Sequence, residues 1–255
     1  MPVPELSGVH VLVTRPPAQA ARLCQQIQQL AGIPIRLPLL EIQAVVPDAR
    51  ALALVPAADL LIFISANAVE QGIASLPDLP ATVQIGVIGQ ATAECLRAAG
   101  RRVDLVPAQF DSEGFLNLAS VQDLHGKHVV IVRGIGGREK LAETLRSRGA
   151  HVNYVEVYRR VCPNWDAQAV ATALRADVVT VTSSEALENL AQLAQQPGGE
   201  ALLHKPLLVF HDRIASRARE LGFTLKPVVT AEPSDKAMLT ALLQWANEHK
   251  GMEQA

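Results

Sequence analysis

Short aliphatic runs alternate along this chain with longer stretches whose apolar residues recur at helical spacing. His10 to Val13 (HVLV) reads as a strand. Ala21, Leu23, Cys24, Ile27 and Leu30 then share one face of a helix over 18–30, which Gly32 is expected to stop. The alternation returns five times: strand 60–64 with helix 67–74, strand 84–88 with helix 91–99 and its stop Gly100, strand 129–132 with helix 138–148 and its stop Gly149, strand 178–181 with helix 185–195, and strand 207–210 with helix 214–221. Strands that are aliphatic throughout are buried on both faces, so the pattern predicts an α/β fold built on parallel sheet flanked by helices. The apolar window 51–69 is broken by Pro56 and Asp59 and reads as a helix end followed by a buried strand, not a membrane span. The polar tail after Trp245 is expected to fray.

The pattern also repeats. GVHVLVTR (Gly8 to Arg15) matches GKHVVIVR (Gly126 to Arg133), and DLLIFISANAVE (Asp59 to Glu70) matches DVVTVTSSEALE (Asp177 to Glu188). A weaker match joins IGQATAECLRAAG (Ile88 to Gly100) to FHDRIASRARELG (Phe210 to Gly222). The period is roughly 118 to 122 residues. Each half is therefore expected to be a similar α/β lobe, with a ligand cleft between the two.

Composition narrows the function classes. Across 255 residues, 49% are hydrophobic and 19% charged, enough to build a core. A formal net charge of -2 supplies no global field for nucleic acid or an anionic membrane, so an anionic ligand must be held by local groups. Three scattered cysteines, Cys24, Cys95 and Cys162, suggest neither a disulfide framework nor a zinc site and read as small buried hydrophobes. The first residues lack a basic run ahead of the apolar one, so no signal peptide is expected and a cytoplasmic location follows.

Chemistry is sparse. The histidines are dispersed, with only His125 and His128 close in sequence, and no metal spacing, Walker lysine or nucleophile elbow is readable. Arg133-Gly-Ile-Gly-Gly-Arg138 reads either as a loop whose amides cradle an anion or as a tight turn. Ser65-Ala-Asn67 and Thr182-Ser-Ser184 sit where helices begin, as N-caps or as ligand-facing donors. Asn67 with Glu70 fits a capping box. Gly89-Gln90-Ala91-Thr92 adds a third such terminus. Tyr158 is either an ordinary strand residue or a proton donor.

Together these segments resemble the uroporphyrinogen-III synthase family. The resemblance is carried by Val13-Thr-Arg-Pro16, Ile64-Ser-Ala-Asn-Ala-Val69, Val87-Ile-Gly-Gln-Ala-Thr-Ala93, Val132-Arg-Gly-Ile-Gly-Gly-Arg-Glu139, the block 149–160 ending Val-Glu-Val-Tyr-Arg, and Thr182-Ser-Ser-Glu-Ala-Leu187. It implies an interleaved architecture: one lobe from 1–37 and 162–255, the other from 43–157, joined by linker strands at 38–42 and 158–161. It also implies a cofactor-independent lyase that cyclises hydroxymethylbilane with loss of water and inversion of ring D. Tyr158 matches the tyrosine that assists hydroxide departure. Arg15, Ser65, Asn67, Gly89, Gln90, Ala91, Thr92, Arg133, Gly134, Ser183, Ser184 and Arg213 match or neighbour the groups expected to hold the substrate's carboxylates. The family often reads Gly-x-Thr-Thr-Ala where this chain has His211-Asp-Arg-Ile-Ala215, placing Ile214 where a threonine is usual. Arg213 then either takes over carboxylate binding or is a solvated helix-start arginine. The implied partner is the small-molecule substrate, handed over from hydroxymethylbilane synthase to a monomer, with no nucleic acid and no membrane. The competing reading is a two-lobe binding or sensor protein for a small anion, without chemistry. A weaker third is a nucleotide-dependent enzyme using 133–138.

Overall fold

The computed structural model describes residues 5–137 and 139–253. Arg138, the far end of the expected Gly-rich motif, lies outside the described residues. In chain order the elements are β1 (His10–Val13), α1 (Pro17–Gln29), β2 (Ile33–Arg36), β3 (Glu41–Ala44), α2 (Ala49–Ala53), β4 (Leu60–Phe63), α3 (Ala66–Gly72), β5 (Gln84–Val87) and α4 (Gln90–Ala98). They continue with α5 (Ser112–Leu116), β6 (His128–Gly134), α6 (Lys140–Ser147), β7 (His151–Val161), α7 (Ala167–Leu174), β8 (Val178–Val181) and α8 (Ser184–Ala194). β9 (Leu207–Val209), α9 (Asp212–Glu220), β10 (Val228–Val229) and α10 (Asp235–Glu253) complete the series.

The chain divides into two compact units, 1–41 with 161–255 and 42–160. Unit 1 holds a five-stranded sheet in the order β10-β9-β8-β1-β2, and its strand pairs are parallel. Unit 2 holds the order β3-β7-β6-β4-β5, with β7, β6, β4 and β5 parallel. Both sheets are covered on both faces, as uniformly aliphatic strands require. In unit 1, Val11 and Val13 pack on Leu23 and Ile27 of α1 and on Met238 and Leu242 of α10. Leu12, Val179 and Val181 pack the opposite way, against Leu187 and Leu190 of α8 and Ile214 of α9. In unit 2, Phe63 and Val132 face Val69 of α3 and Leu96 of α4, whereas Ile62 and Ile131 face Phe115 of α5 and Leu141 of α6.

The internal repeat is a repeated hydrogen-bond device. Asp59, just before β4, accepts the His128 N–H at the start of β6 through Oδ2 at 2.8 Å. Asp177, just before β8, accepts the His10 N–H at the start of β1 in the same way, also at 2.8 Å. Each aspartate thereby sets its strand beside a neighbour that is distant in sequence. Lys127 adds an ion pair to Asp59 at 2.8 Å, and that cation with the His128 N–H holds the carboxyl below its usual range.

Several local expectations need correction. Helix α1 is stopped by Ala31, which takes the left-handed φ of 60°, not by Gly32. Gly32 is a matter of space: a Cβ there would lie 2.8 Å from Ile27 Cγ2. The capping box at Asn67 does not form, because the helix begins two residues earlier and Ser65 caps it. Beyond Trp245 the chain continues in α10 as far as Glu253, and the Trp245 and His249 rings stack with centroids 4.4 Å apart. Cys24 is buried as expected, but Cys162 is exposed with its thiol near Gln192.

Candidate active site

Ligands in open parallel sheets bind beyond the carboxyl ends of the strands. In unit 2 the β6–β7 edge, the start of α3 and the start of α4 supply the expected residues. Strand β7 runs parallel to β6 in steady register from His151 to Glu156 and then shifts, so that Tyr158 and not Val157 faces Gly134. One extra residue in a strand reverses the alternation of its side chains. Tyr158 therefore joins Val155 and Val157 on the α3 side of the sheet. Gly134 makes room for the ring: a Cβ there would lie 2.5 Å from Tyr158 Cε2.

The buried Tyr158 (2% exposed) points its hydroxyl at Ser65 Oγ, 3.2 Å away. Ser65 Oγ also accepts the Ala68 N–H at 3.1 Å, capping α3. Asn67 lies in the first turn of that helix. Helix α4 is different. Gly89 occupies the cap position and has no side chain with which to cap it. The Thr92 and Ala93 amides bond back to the Gly89 carbonyl, at 3.1 Å each. The Gln90 and Ala91 amides come too early in the helix to have an intrahelical acceptor. Thr92 is buried at this turn, while the Gln90 side chain lies along the helix on Glu94 at 2.9 Å.

Arg133 is buried and engaged. Its Nη1 donates to Glu139 at 2.8 Å, its Nε to the Gly134 carbonyl at 3.2 Å and its Nη2 to the Gly136 carbonyl. Its guanidinium lies 4.7 Å from the centroid of the Tyr154 ring. Around Arg133 it is therefore carbonyls, not amides, that turn inward. Tyr154 donates to the second Glu139 oxygen. That bond, with Arg133, lowers the Glu139 pKa, whereas burial and the carboxylate raise that of Tyr154.

Unit 1 repeats the helix starts. Ser183 Oγ accepts the Ala186 N–H at 3.1 Å and caps α8, whose first residue is Ser184. His211 occupies the cap position of α9 without a side-chain cap bond. Arg213 lies in its first turn, exposed and without a side-chain partner among the described residues. Ile214, where a threonine was the usual expectation, is fully buried in the core. Arg15, two residues past β1, is paired through Nη1 to Asp235 at 2.5 Å, with its Cζ 4.9 Å from the Phe210 centroid. Asp235 and Phe210 were not foreseen: Phe210 was read as the last residue of a strand, and no element was expected at Asp235, where α10 begins. Among the described residues no group of three or more His, Cys, Asp or Glu could hold a metal ion. Nor is any helix among them long and apolar enough to cross a membrane.

The family model described as uroporphyrinogen-III synthase HemD matches residues 21–240. The chain belongs to the uroporphyrinogen-III synthase family. A uroporphyrinogen-III synthase of Escherichia coli K12 is 34% identical over 251 residues, covering 92% of this chain and all of that one. Another from Synechococcus elongatus is 33% identical over 202 residues, covering 74% of this chain and 75% of that one. In fold, the chain is similar to the crystal structure of a uroporphyrinogen-III synthetase from Helicobacter pylori 26695, with a TM-score of 0.65 at 17% identity, over 93% of this chain and 99% of that one. Family membership thus accompanies the two-sheet α/β architecture.

Proposed function

We propose that this chain is a uroporphyrinogen-III synthase, a cyclising lyase that closes hydroxymethylbilane to uroporphyrinogen III. The observation that carries the reading is its similarity to the E. coli enzyme along 92% of its length. Tyr158 and Ser65 supply the proton. Ser65 is half-buried and is the outward end of the pair. With lone pairs occupied by the Ala68 N–H and the Tyr158 O–H, its own hydrogen is free to reach the leaving hydroxyl. A proton moves from Ser65 to that hydroxyl and from Tyr158 to Ser65. The hydroxyl departs as water and leaves that ring as a protonated azafulvene, which keeps its pyrrole N–H. The substituted carbon of ring D attacks it to give a spiro intermediate, which reopens and recloses with ring D inverted. The proton released on rearomatisation restores Tyr158.

The protein's remaining task is to fold a polyanion and steer its closure. The open amides of Gln90 and Ala91, with Gly89, Thr92, Asn67, Ser183, Ser184, Arg15 and Arg213, bind its acetate and propionate groups. Arg133 and Gly134 act behind them, one by holding its loop and the other by admitting the Tyr158 ring. No cofactor enters the scheme. The substrate arrives from hydroxymethylbilane synthase, and the enzyme works as a cytoplasmic monomer. The test is to supply fresh hydroxymethylbilane and separate the isomers formed. Type III is expected; type I alone, the product of spontaneous closure, would leave the sensor reading in its place.

A further inference from the structure

Arg15 and Arg133 occupy the same position of the internal repeat, the last residue of GVHVLVTR and of GKHVVIVR. Arg133 is buried and Arg15 is half-buried as a residue, with 4% and 10% of the side chain exposed. Each is paired through Nη1 to one carboxylate, Asp235 or Glu139, and each lies over one aromatic ring, Phe210 or Tyr154. They differ at Nη2. That of Arg133 donates to the Gly136 carbonyl, whereas that of Arg15 is buried without a hydrogen-bond partner among the described residues. A lock between β1 and α10 needs only the bond from Nη1 to Asp235. It does not account for a guanidinium nitrogen held out of water with nothing to donate to, an arrangement that proteins avoid.

We infer that Arg15 is a seat for one carboxylate of the substrate, received at Nη2, with Asp235 orienting the guanidinium from its other edge. The inference rests on the proposed activity, since it supplies the carboxylate. The position fits: Arg15, Phe210 and Asp235 follow β1, β9 and β10 at the carboxyl edge of the unit 1 sheet. An acetate or propionate oxygen gives Nη2 a charge-assisted bond, the kind arginine makes best. Because Nη2 is closed to water, a neighbouring group yields as the carboxylate enters. The Phe210 ring is the candidate, since a cation–π contact is weaker than an arginine–carboxylate bond.

The experiment begins with wild-type isomer analysis, because failure to form type III would remove the activity and not the seat alone. With type III formed, Arg15→Lys is expected to raise KM about tenfold or more with kcat within about twofold. Asp235→Asn should raise KM several-fold, and Asp235→Glu should restore most of it. Unchanged KM in Arg15→Lys would overturn the seat. A lowered melting temperature with unchanged KM in Asp235→Asn would reduce Asp235 to a structural role and overturn its orienting one. Propionate titrated into the unmodified protein keeps the test independent of variant folding. Arginine side-chain NMR should show a saturable shift of the guanidinium that contacts the Phe210 ring; no shift at saturating propionate would also overturn the seat.

Discussion

The two halves of this protein share a plan and spend it differently, as the pair Arg15 and Arg133 shows most directly. Beyond Arg133 the chain runs through Gly134 to Glu139 before α6 begins, and the carbonyls of that loop fold back onto the guanidinium. Beyond Arg15 the chain passes straight into Pro16 and α1, leaving no loop to supply carbonyls. A difference in loop length therefore turns one arginine into an internal fastener and leaves the other with an open donor. The hydroxyl chemistry divides as well. The pair of Tyr158 and Ser65 lies in unit 2, and Ser183, in the position of Ser65, has no tyrosine on it among the described residues. The repeat preserves its backbone devices, while the side chains of each copy take separate tasks.

The largest effect that could break this contrast is at Tyr158. Tyr158→Phe keeps the ring against Gly134 and removes only the hydroxyl, so kcat should fall about a hundredfold while the melting temperature changes little. Wild-type turnover in that variant would place the acid elsewhere and erase the division of labour between the units. Arg133→Lys comes next. A lysine cannot reach both loop carbonyls and Glu139, so denaturant unfolding should show a loss of about 2 kcal/mol. KM should stay near that of the wild type, the opposite of the outcome at Arg15, and a raised KM would make the two arginines alike. The smallest effect tests the strand-start device. The folded-state pKa of Asp59 is lowered by Lys127 and the His128 amide. Its stabilising contribution is therefore fully present above the unfolded value of about 4 and is lost as pH falls through the lower folded one. Because the side chain is 38% exposed, solvent screens most of that contribution. Asp59→Asn should lower the melting temperature by about 1–2 °C at neutral pH, with the gap closing in acid. A gap that persists at low pH would assign the effect to packing.

Much of the fold was legible because it is written in local patterns. Aliphatic runs mark strands buried on both faces, and the glycines at 100, 149 and 222 take the positive φ that ends their helices. The site was legible by residue type and less so by role. The segments of Ser65 and Ser183 read as caps or as ligand-facing donors, and both serines cap their helices. Asn67 read as a cap and is not, since the choice among neighbouring polar residues depends on where the backbone turns. Arg133 read as a ligand group, yet its donors are engaged by carbonyls whose direction no spacing rule reports. Asp235 could not be foreseen as the partner of Arg15, because 220 residues separate them.

By itself the sequence determined the alternation of elements, the repeat and the fold class, because hydrophobic period and turn chemistry act over a few residues at a time. The tertiary structure alone decided which way Tyr158 faces. Alternation along β7 would send its ring away from Val155 and Val157, and one register shift beside Gly134 brings it round to Ser65. Such a shift depends on the neighbouring strand, and the open donor of Arg15 depends likewise on what three distant strand ends leave around it. Both are properties of assembled surroundings, in which the residue named by the sequence is only one of several parts.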